Sequence, residues 1–286
     1  MASMKKIGIV VKEGQAEPVR ILEGLLPWLE EKGLEPLVDE EAARKLGRPG
    51  HPRAEIARLA DLIITMGGDG TILSVARLVC ARGVPIIGVN LGGLGFITEF
   101  VSDKVREAVE KALSGDYSCE ERMMLRAVIK RHGEVIAEYS VLNDVVVNKG
   151  AAPRLIEIEA WVDGALMTTF RADGLIASTP TGSTAYNLSA GGPVLHPAVA
   201  GIVLAPICSH TLAMRPIVLP HEVEIGIKPV TKNVVVDLAL DGQVGFSLRE
   251  NDIVAVTRAA YSARLLVPFE RDYFQVLREK LRWGSR

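Results

Sequence analysis

Asp61-Leu-Ile-Ile-Thr-Met-Gly-Gly-Asp-Gly-Thr71 runs an apolar strand into two glycines, a carboxylate, a third glycine and a hydroxyl residue. Leu62, Ile63 and Ile64 read as a buried strand. Gly67, Gly68 and Gly70 permit a turn whose successive backbone N–H groups can point at an anion. Beyond the turn, Ile72, Val75, Ala76 and Val79 recur at the spacing of a helix packed on a sheet. The turn is therefore expected at a helix N-terminus, where the dipole also favours phosphate. Asp69 is the odd residue there, because a carboxylate adds nothing to an anion-binding turn. It can cap the turn and helix, or it can serve as a general base or hydroxyl-orienting group beside a phosphate being transferred. The turn alone admits both.

Working outward, residues 7–11 read as a first strand and 17–31 as an amphipathic helix closed by Gly33. A second strand follows at 34–38, then a polar connection at 47–53. With the strand at 62–65, a helix at 71–82 and a strand at 84–89, this alternation predicts a parallel sheet with helices on both faces. Asn90-Leu-Gly-Gly-Leu-Gly95 is a second glycine turn at a strand's carboxyl end, the edge where open α/β sheets bind ligands. An ordinary tight turn has the same composition. After a helix near 103–113 the grammar changes to short β-branched runs at 125–130, 135–147, 155–162, 223–227, 234–240 and 253–257. The expected organisation is an α/β nucleotide-binding domain over 1–116, rejoined by a C-terminal helix within 269–286, and a β-rich, sandwich-like domain over 117–268.

The chain has 286 residues, 48% hydrophobic and 24% charged, a globular balance that excludes a disordered or fibrous protein. Lys and Arg number 33 against 35 Asp and Glu, so no basic field argues for nucleic acid or an anionic membrane. Cys80, Cys119 and Cys208 show no metal-binding spacing and read as reduced, buried thiols. No cleavable signal or long apolar span is evident, and a soluble, cytoplasmic protein is expected.

A second polar cluster lies in the β-rich half, Asp173-Gly-Leu-Ile-Ala-Ser-Thr-Pro-Thr-Gly-Ser-Thr-Ala-Tyr186, continuing through Asn187, Leu188 and Ser189 to Ala190-Gly-Gly-Pro193. Its hydroxyls, N–H groups and the Tyr186 ring suit a ribose, an adenine edge or a phosphate; a capped turn is the plainer alternative. Asn143-Asp144, a polar pair within an apolar run, can form a bulge or read a diol. Asp241-Gly-Gln243 reads as a hairpin turn, with Gln243 able to reach a ligand. The histidines lack ligand spacing, and no metal site is expected.

Together these residues resemble the NAD kinase family, ATP- or polyphosphate-dependent enzymes that phosphorylate the adenosine-side ribose of NAD to give NADP. Gly67-Gly-Asp-Gly-Thr71 is similar to a signature shared with lipid kinases and phosphofructokinases; the run from Asp173 to Pro193 is far more specific, and the absence of an N-terminal extension resembles the short prokaryotic forms. The resemblance implies two domains with NAD held between them. Asp69 would be the catalytic carboxylate, with donor phosphates and Mg²⁺ near Gly67, Gly68, Gly70 and Thr71. Asn143 and Asp144 would hold the adenosine end, Thr184, Ala185, Tyr186, Asn187, Leu188 and Ser189 would line its pocket, and Asp173 would meet the nicotinamide side. Gly70, Thr181, Gln243, Arg171 and Arg154 complete the implied NAD contacts. A homodimer or homotetramer is implied as well. A lipid kinase would share the Asp69 turn but not the hydroxyl-rich segment; a dinucleotide sensor without activity would use Asp69 only as a cap.

Overall fold

The computed structural model describes residues 4–14, 17–92, 95–98, 100–150, 154–211, 213–231, 234–268 and 272–284. The chain divides into two compact units, one comprising residues 1–121 with 263–286 and the other residues 122–262.

The first unit contains β1 (Lys6–Val11), α1 (Glu17–Glu31), β2 (Glu35–Val38), α2 (Glu40–Lys45), α3 (Arg53–Leu59), β3 (Leu62–Met66), α4 (Asp69–Val79), β4 (Pro85–Asn90), β5 (Phe100–Val101) and α5 (Val105–Ser114). Its strands pair in parallel in the order β2-β1-β3-β4, with β5 and Arg264 to Leu266 also parallel to β4. Leu22, Leu25, Leu26 and Leu29 of α1, with Val105, Ala108, Val109 and Ala112 of α5, pack on Ile7, Ile9, Ile64 and Val89. α3 and α4 press closely enough that a Cβ at Gly8 would lie 2.5 Å from Ile56, and one at Gly88 would overlap Ile72. The polar connection is flanked by two helices that the sequence did not reveal, α2 and α3. At six and seven residues they are too short for a periodicity signal, and α2 starts because the buried Asp39 accepts the Ala42 N–H at 3.1 Å.

The second unit contains the remaining strands. They are β6 (Ser118–Arg131), β7 (Glu134–Val141), β8 (Asp144–Asn148), β9 (Ile156–Val162), β10 (Ala165–Ala172) and β11 (Gly174–Ser178), then, after the short α6 (Tyr186–Ser189), β12 (Gly201–Ile207), β13 (Ile217–Pro220), β14 (Ile225–Pro229), β15 (Val236–Leu240), β16 (Val244–Leu248) and β17 (Ile253–Val267). The first residues of β6 and the last of β17 belong to the first unit, as does α7 (Tyr273–Leu281). One sheet runs β13-β12-β11-β8-β15-β16, all antiparallel. Val145 and Val147 of β8, Leu175 and Ala177 of β11 and Leu238 of β15 face a second layer of Ile156, Ile158, Phe170, Ile225 and Val254. This is the expected sandwich-like packing. The alternate residues, Asp144, Val146 and Asn148, face the opposite side.

The 135–147 run breaks at Leu142-Asn143 into β7 and β8. Cys80 is buried as expected, but Cys119 is only half-buried and Cys208 is exposed. The apolar segment that suggested burial ends at Ile207, and Cys208 turns out of the sheet at φ +47°. None of the three is in a disulfide, and the Cys80 thiol donates to the Arg77 carbonyl at 3.7 Å.

Candidate functional site

The strand order of the first unit reverses at β1, so the carboxyl ends of β1 and β3 form a topological switch point, where open α/β sheets bind ligands. The Gly67–Gly70 turn leaves β3 there. Lys12 closes the edge of β1, its N–H bonding the Met66 carbonyl at 2.8 Å. Gly67 is glycine for space rather than backbone twist: a Cβ would overlap Thr71 Oγ1 and approach Lys12 Cβ to 2.8 Å. Its N–H is spent on the Val89 carbonyl at 2.9 Å, and that of Thr71 on the Gly68 carbonyl at 2.9 Å. Neither points at a ligand, so the turn is less open to an anion than its composition suggests. Gly68 is the N-cap of α4 and supplies no side-chain cap.

Asp69 opens α4, half-buried. Its Oδ1 accepts from the Ile97 N–H (3.2 Å), the Thr98 N–H (3.1 Å) and the Thr98 hydroxyl (3.2 Å); its Oδ2 accepts from the Phe96 N–H (2.9 Å). Gly95 lies so close that a Cβ would overlap Asp69 Oδ1 and Thr98 Oγ1. Asn90 completes the arrangement, donating from Nδ2 to Thr98 Oγ1 at 2.8 Å and accepting the Gly92 N–H at 2.8 Å. The end of the second glycine segment thus holds the carboxylate in place. Residues 93 and 94 of that segment lie outside the described residues. A carboxylate oxygen has two lone pairs, so the singly occupied Oδ2 is the natural place to receive a further hydroxyl.

In the second unit, Asp241 and Gly242 take left-handed conformations, φ +52° and +62°, in the hairpin between β15 and β16 that Asp241-Gly-Gln243 predicted. The Asp241 carboxylate accepts the N–H groups of Leu142 (3.1 Å), Asn143 (2.7 Å) and Asp144 (3.3 Å). This fixes the Asn143-Asp144 corner. The Thr179–Thr184 turn docks on the same corner: the Thr179 N–H bonds the Asn143 carbonyl at 2.9 Å, the Thr179 hydroxyl bonds the Leu142 carbonyl at 2.6 Å, and a Cβ at Gly182 would overlap the Asn143 carbonyl.

Many hydroxyls of the signature segment are therefore internal. Ser183 bonds the Pro180 carbonyl at 2.6 Å and accepts the Leu195 N–H at 2.9 Å. Thr184 bonds the Thr181 carbonyl at 3.2 Å, and the buried Arg122 donates to Thr181 at 3.4 Å. Asn187 is fully buried, its amide donating to the Ser183 and Pro193 carbonyls at 3.1 Å each. Leu188 is half-buried and Ser189 exposed.

Asn143, Asp144, Ala185 and Tyr186 line a cavity of about 350 Å³ with Val146, Asn148, Ala239, Asp241 and Gly242. It follows one face of β8 from Asp144 to Asn148, about 13 Å at the usual rise of a strand. Burial, with the Asp241 carboxylate adding to it, pushes the Asp144 carboxyl up to about 7. Beyond Asn148, Lys149 Nζ lies 2.6 Å from Asp173 Oδ1. Asp173, Thr181, Thr184, Arg171, Arg154 and Gln243 are not among the residues that line the cavity; Arg171, Arg154 and Gln243 are exposed. Lys12, Asn90, Thr98, Arg122 and Asp241 carry site geometry that the sequence reading did not assign. For Asp241 the signal was its place in a hairpin turn; for Asn90, its position opening a glycine turn at a strand end.

A phosphate-type turn at a switch point and a polar cavity beside a hydroxyl-rich turn define a nucleotide-binding protein of two units. Residues 7–117 match the ATP-NAD kinase N-terminal domain and residues 142–267 the ATP-NAD kinase C-terminal domain. The chain belongs to the NAD kinase family. NAD kinase of Geobacter metallireducens is 48% identical over 283 residues, covering 99% of this chain and 100% of that protein. NAD kinase of Geotalea daltonii is 50% identical over 284 residues with the same coverage. Among solved structures, yeast NADH kinase complexed with NADH superposes at a TM-score of 0.92 with 28% identity, covering 100% of this chain and 90% of that one. An NAD kinase from Archaeoglobus fulgidus in complex with ATP gives 0.75 at 24% identity, covering 97% and 98%, and so shares the fold.

Proposed function

We infer that this chain phosphorylates NAD, transferring the terminal phosphoryl group of ATP or polyphosphate to the 2′-hydroxyl of the adenosine ribose to give NADP. The observation that carries the chemistry is Asp69, anchored through Oδ1 at the end of β3 with Oδ2 accepting a single N–H. In the proposed step the ribose oxygen forms a bond to phosphorus as the bond to the leaving phosphate breaks, and the hydroxyl proton passes to Asp69. A carboxylate is too weak a base to deprotonate an alcohol beforehand, so its help comes as the proton is lost in the transition state.

Asn143, Asp144, Ala185 and Tyr186 are proposed to hold the adenosine end. The internal bonds of Thr181, Thr184 and Asn187 give these residues the work of shaping that pocket, with Leu188 and Ser189 following in α6. Asp173, Arg171, Arg154 and Gln243 are proposed contacts for the rest of the dinucleotide. Gly67 to Thr71, with Lys12 beside them, are the proposed donor-phosphate side. Among the described residues no group of three or more His, Cys, Asp or Glu side chains gathers to hold a metal; we propose that Mg²⁺ enters with the donor phosphates, whose charge it would neutralise. No helix among the described residues is long and apolar enough to cross a membrane, and three cysteines outside any disulfide fit the proposed reducing, cytoplasmic setting. A homodimer or homotetramer is proposed, with groups near Asp173 serving a neighbouring subunit; a dilution series should show activity falling as subunits separate, and a fully active monomer would contradict it. The activity itself is tested by following NADP formation from NAD with Mg·ATP and, separately, with polyphosphate.

A further inference from the structure

A second cavity, of about 840 Å³, lies at the carboxyl ends of β1 and β2 in the first unit. Lys12 joins it to the Gly67–Thr71 turn: its Cβ packs on Gly67, and the next residue, Glu13, lines the cavity. The walls are fixed to the sheet. Asp39, 2% exposed, accepts the Val11 N–H at the end of β1 and the Ala42 N–H of α2, both at 3.1 Å. Arg53 donates to the Val11 carbonyl at 3.1 Å, and the His51 N–H bonds the Val38 carbonyl at 2.8 Å. Gly50 is pressed on α2 so tightly that a Cβ would lie 2.7 Å from Glu40 Cα. A held cavity of this size suits a small ligand.

Its charges are mixed, and several are unspent. Arg53 uses one nitrogen, Nη2, for Val11, Glu13 and Asp39, and Arg48 uses Nη2 for Glu30, so among the described residues each keeps Nε and Nη1 unbonded. Arg44 and Glu40, one turn apart on α2, both line the cavity. Beyond the pull of the Arg44 charge on Glu41, neither has a hydrogen bond or ion pair among the described residues. Glu41 is held by the Gly14 N–H at 2.8 Å and by Lys45 at 2.9 Å. A polyphosphate chain is charged along its whole length, so it would meet Glu13, Glu40 and Glu41 as well as the arginines, and like charges repel. The sugar and base of a nucleoside are uncharged. A ribose diol donates to a carboxylate, while a base accepts guanidinium N–H groups at its ring nitrogens and stacks on the guanidinium plane.

We propose that this cavity holds the nucleoside of a triphosphate donor, its ribose hydroxyls on Glu40 and its base against Arg44 and Arg48, while the phosphates pass Lys12 to reach the Gly67–Thr71 turn. The proposal rests on the reading of that turn as the donor-phosphate side, and it makes a nucleoside triphosphate the preferred donor over inorganic polyphosphate.

Initial rates of NADP formation by the full chain test it, with Mg·ATP and Mg·tripolyphosphate as the two donors. Glu40→Gln combined with Arg44→Gln leaves the net charge unchanged and alters neither Lys12 nor the turn. In the parent, kcat/KM for ATP should exceed that for tripolyphosphate. In the double variant that preference should fall about tenfold, carried by the KM for ATP and not by the KM for NAD. Each single change should shift it in the same direction, which keeps the test available if the double variant melts early. A parent that prefers tripolyphosphate overturns the proposal, and so does a preference left unchanged by the substitutions, including an equal loss with both donors. NADP formed from neither donor overturns the donor reading of the turn, and this occupant with it.

Discussion

Asp69 accepts four hydrogen bonds from residues 96–98 while α4 is N-capped by Gly68, so the carboxylate ties its helix to a distant segment rather than capping its own helix. The Thr98 hydroxyl relays Asn90 to the carboxylate, so its removal should loosen the base without touching either substrate. Thr98→Val is expected to lower kcat about tenfold with the KM values for NAD and ATP little changed, and Thr98→Ser to restore it. A loss in both variants together with a lowered melting temperature would make Thr98 merely structural. Asp144 gives a second prediction. Its folded pKa is raised from 3.8 to about 7, so the native state binds the proton more tightly, and the cost of keeping the acid buried grows as pH climbs between those values. Asp144→Asn should therefore gain melting temperature relative to the parent at pH 8 and not at pH 4; an equal difference at both pH values contradicts the assignment. Sequence reading could name Asp69, Asn143 and Asp144 because each is a polar residue where its local pattern needs none. It could not give Thr98 or Asp241 their roles, which lie in contacts 29 and 97 to 99 residues away.

Strands and turns place the side chains within each unit. The Gly-Gly-Asp-Gly turn reaches the switch point because β3 lies beside β1, and this also brings Lys12 to it. Lys12→Met should raise the KM for the phosphate donor more than that for NAD, as judged by initial rates; an unchanged donor KM would remove Lys12 from the donor side. The Thr179–Thr184 turn sits against the Asn143 carbonyl with no room for a side chain at Gly182. Gly182→Ala should displace the turn and weaken NAD binding in calorimetry by more than tenfold, with the far-ultraviolet circular dichroism of the sheets retained. Periodicity found the long helices and most strands. It missed α2, which the Asp39 cap starts and Ala42 and Ala43 pack into the core, and α3, which has no side-chain cap and packs through Ile56 against Gly8 of β1.

At the scale of the whole chain, the change from strand–helix alternation to short β-branched runs announced two architectures, and both are present. The hydroxyl-rich segment told which family to expect, although most of its hydroxyls serve the turn itself. The second unit is also pinned by Arg131, whose guanidinium grips the fully buried Asp252 carboxylate through two bonds of 2.8 and 2.7 Å. Arg131→Met would leave that carboxylate with the Arg249 N–H and without its guanidinium, and should lower the midpoint of urea unfolding. The central claim is a phosphoryl transfer to NAD that depends on Asp69. It is tested most directly by NADP formation from NAD and Mg·ATP in the parent and Asp69→Asn, with melting curves and NAD binding measured alongside because the amide places an N–H where an oxygen accepted one. The account predicts NADP from the parent and a loss of about 100-fold or more in turnover in a folded, NAD-binding variant; a variant that makes NADP at the parent's rate would contradict it.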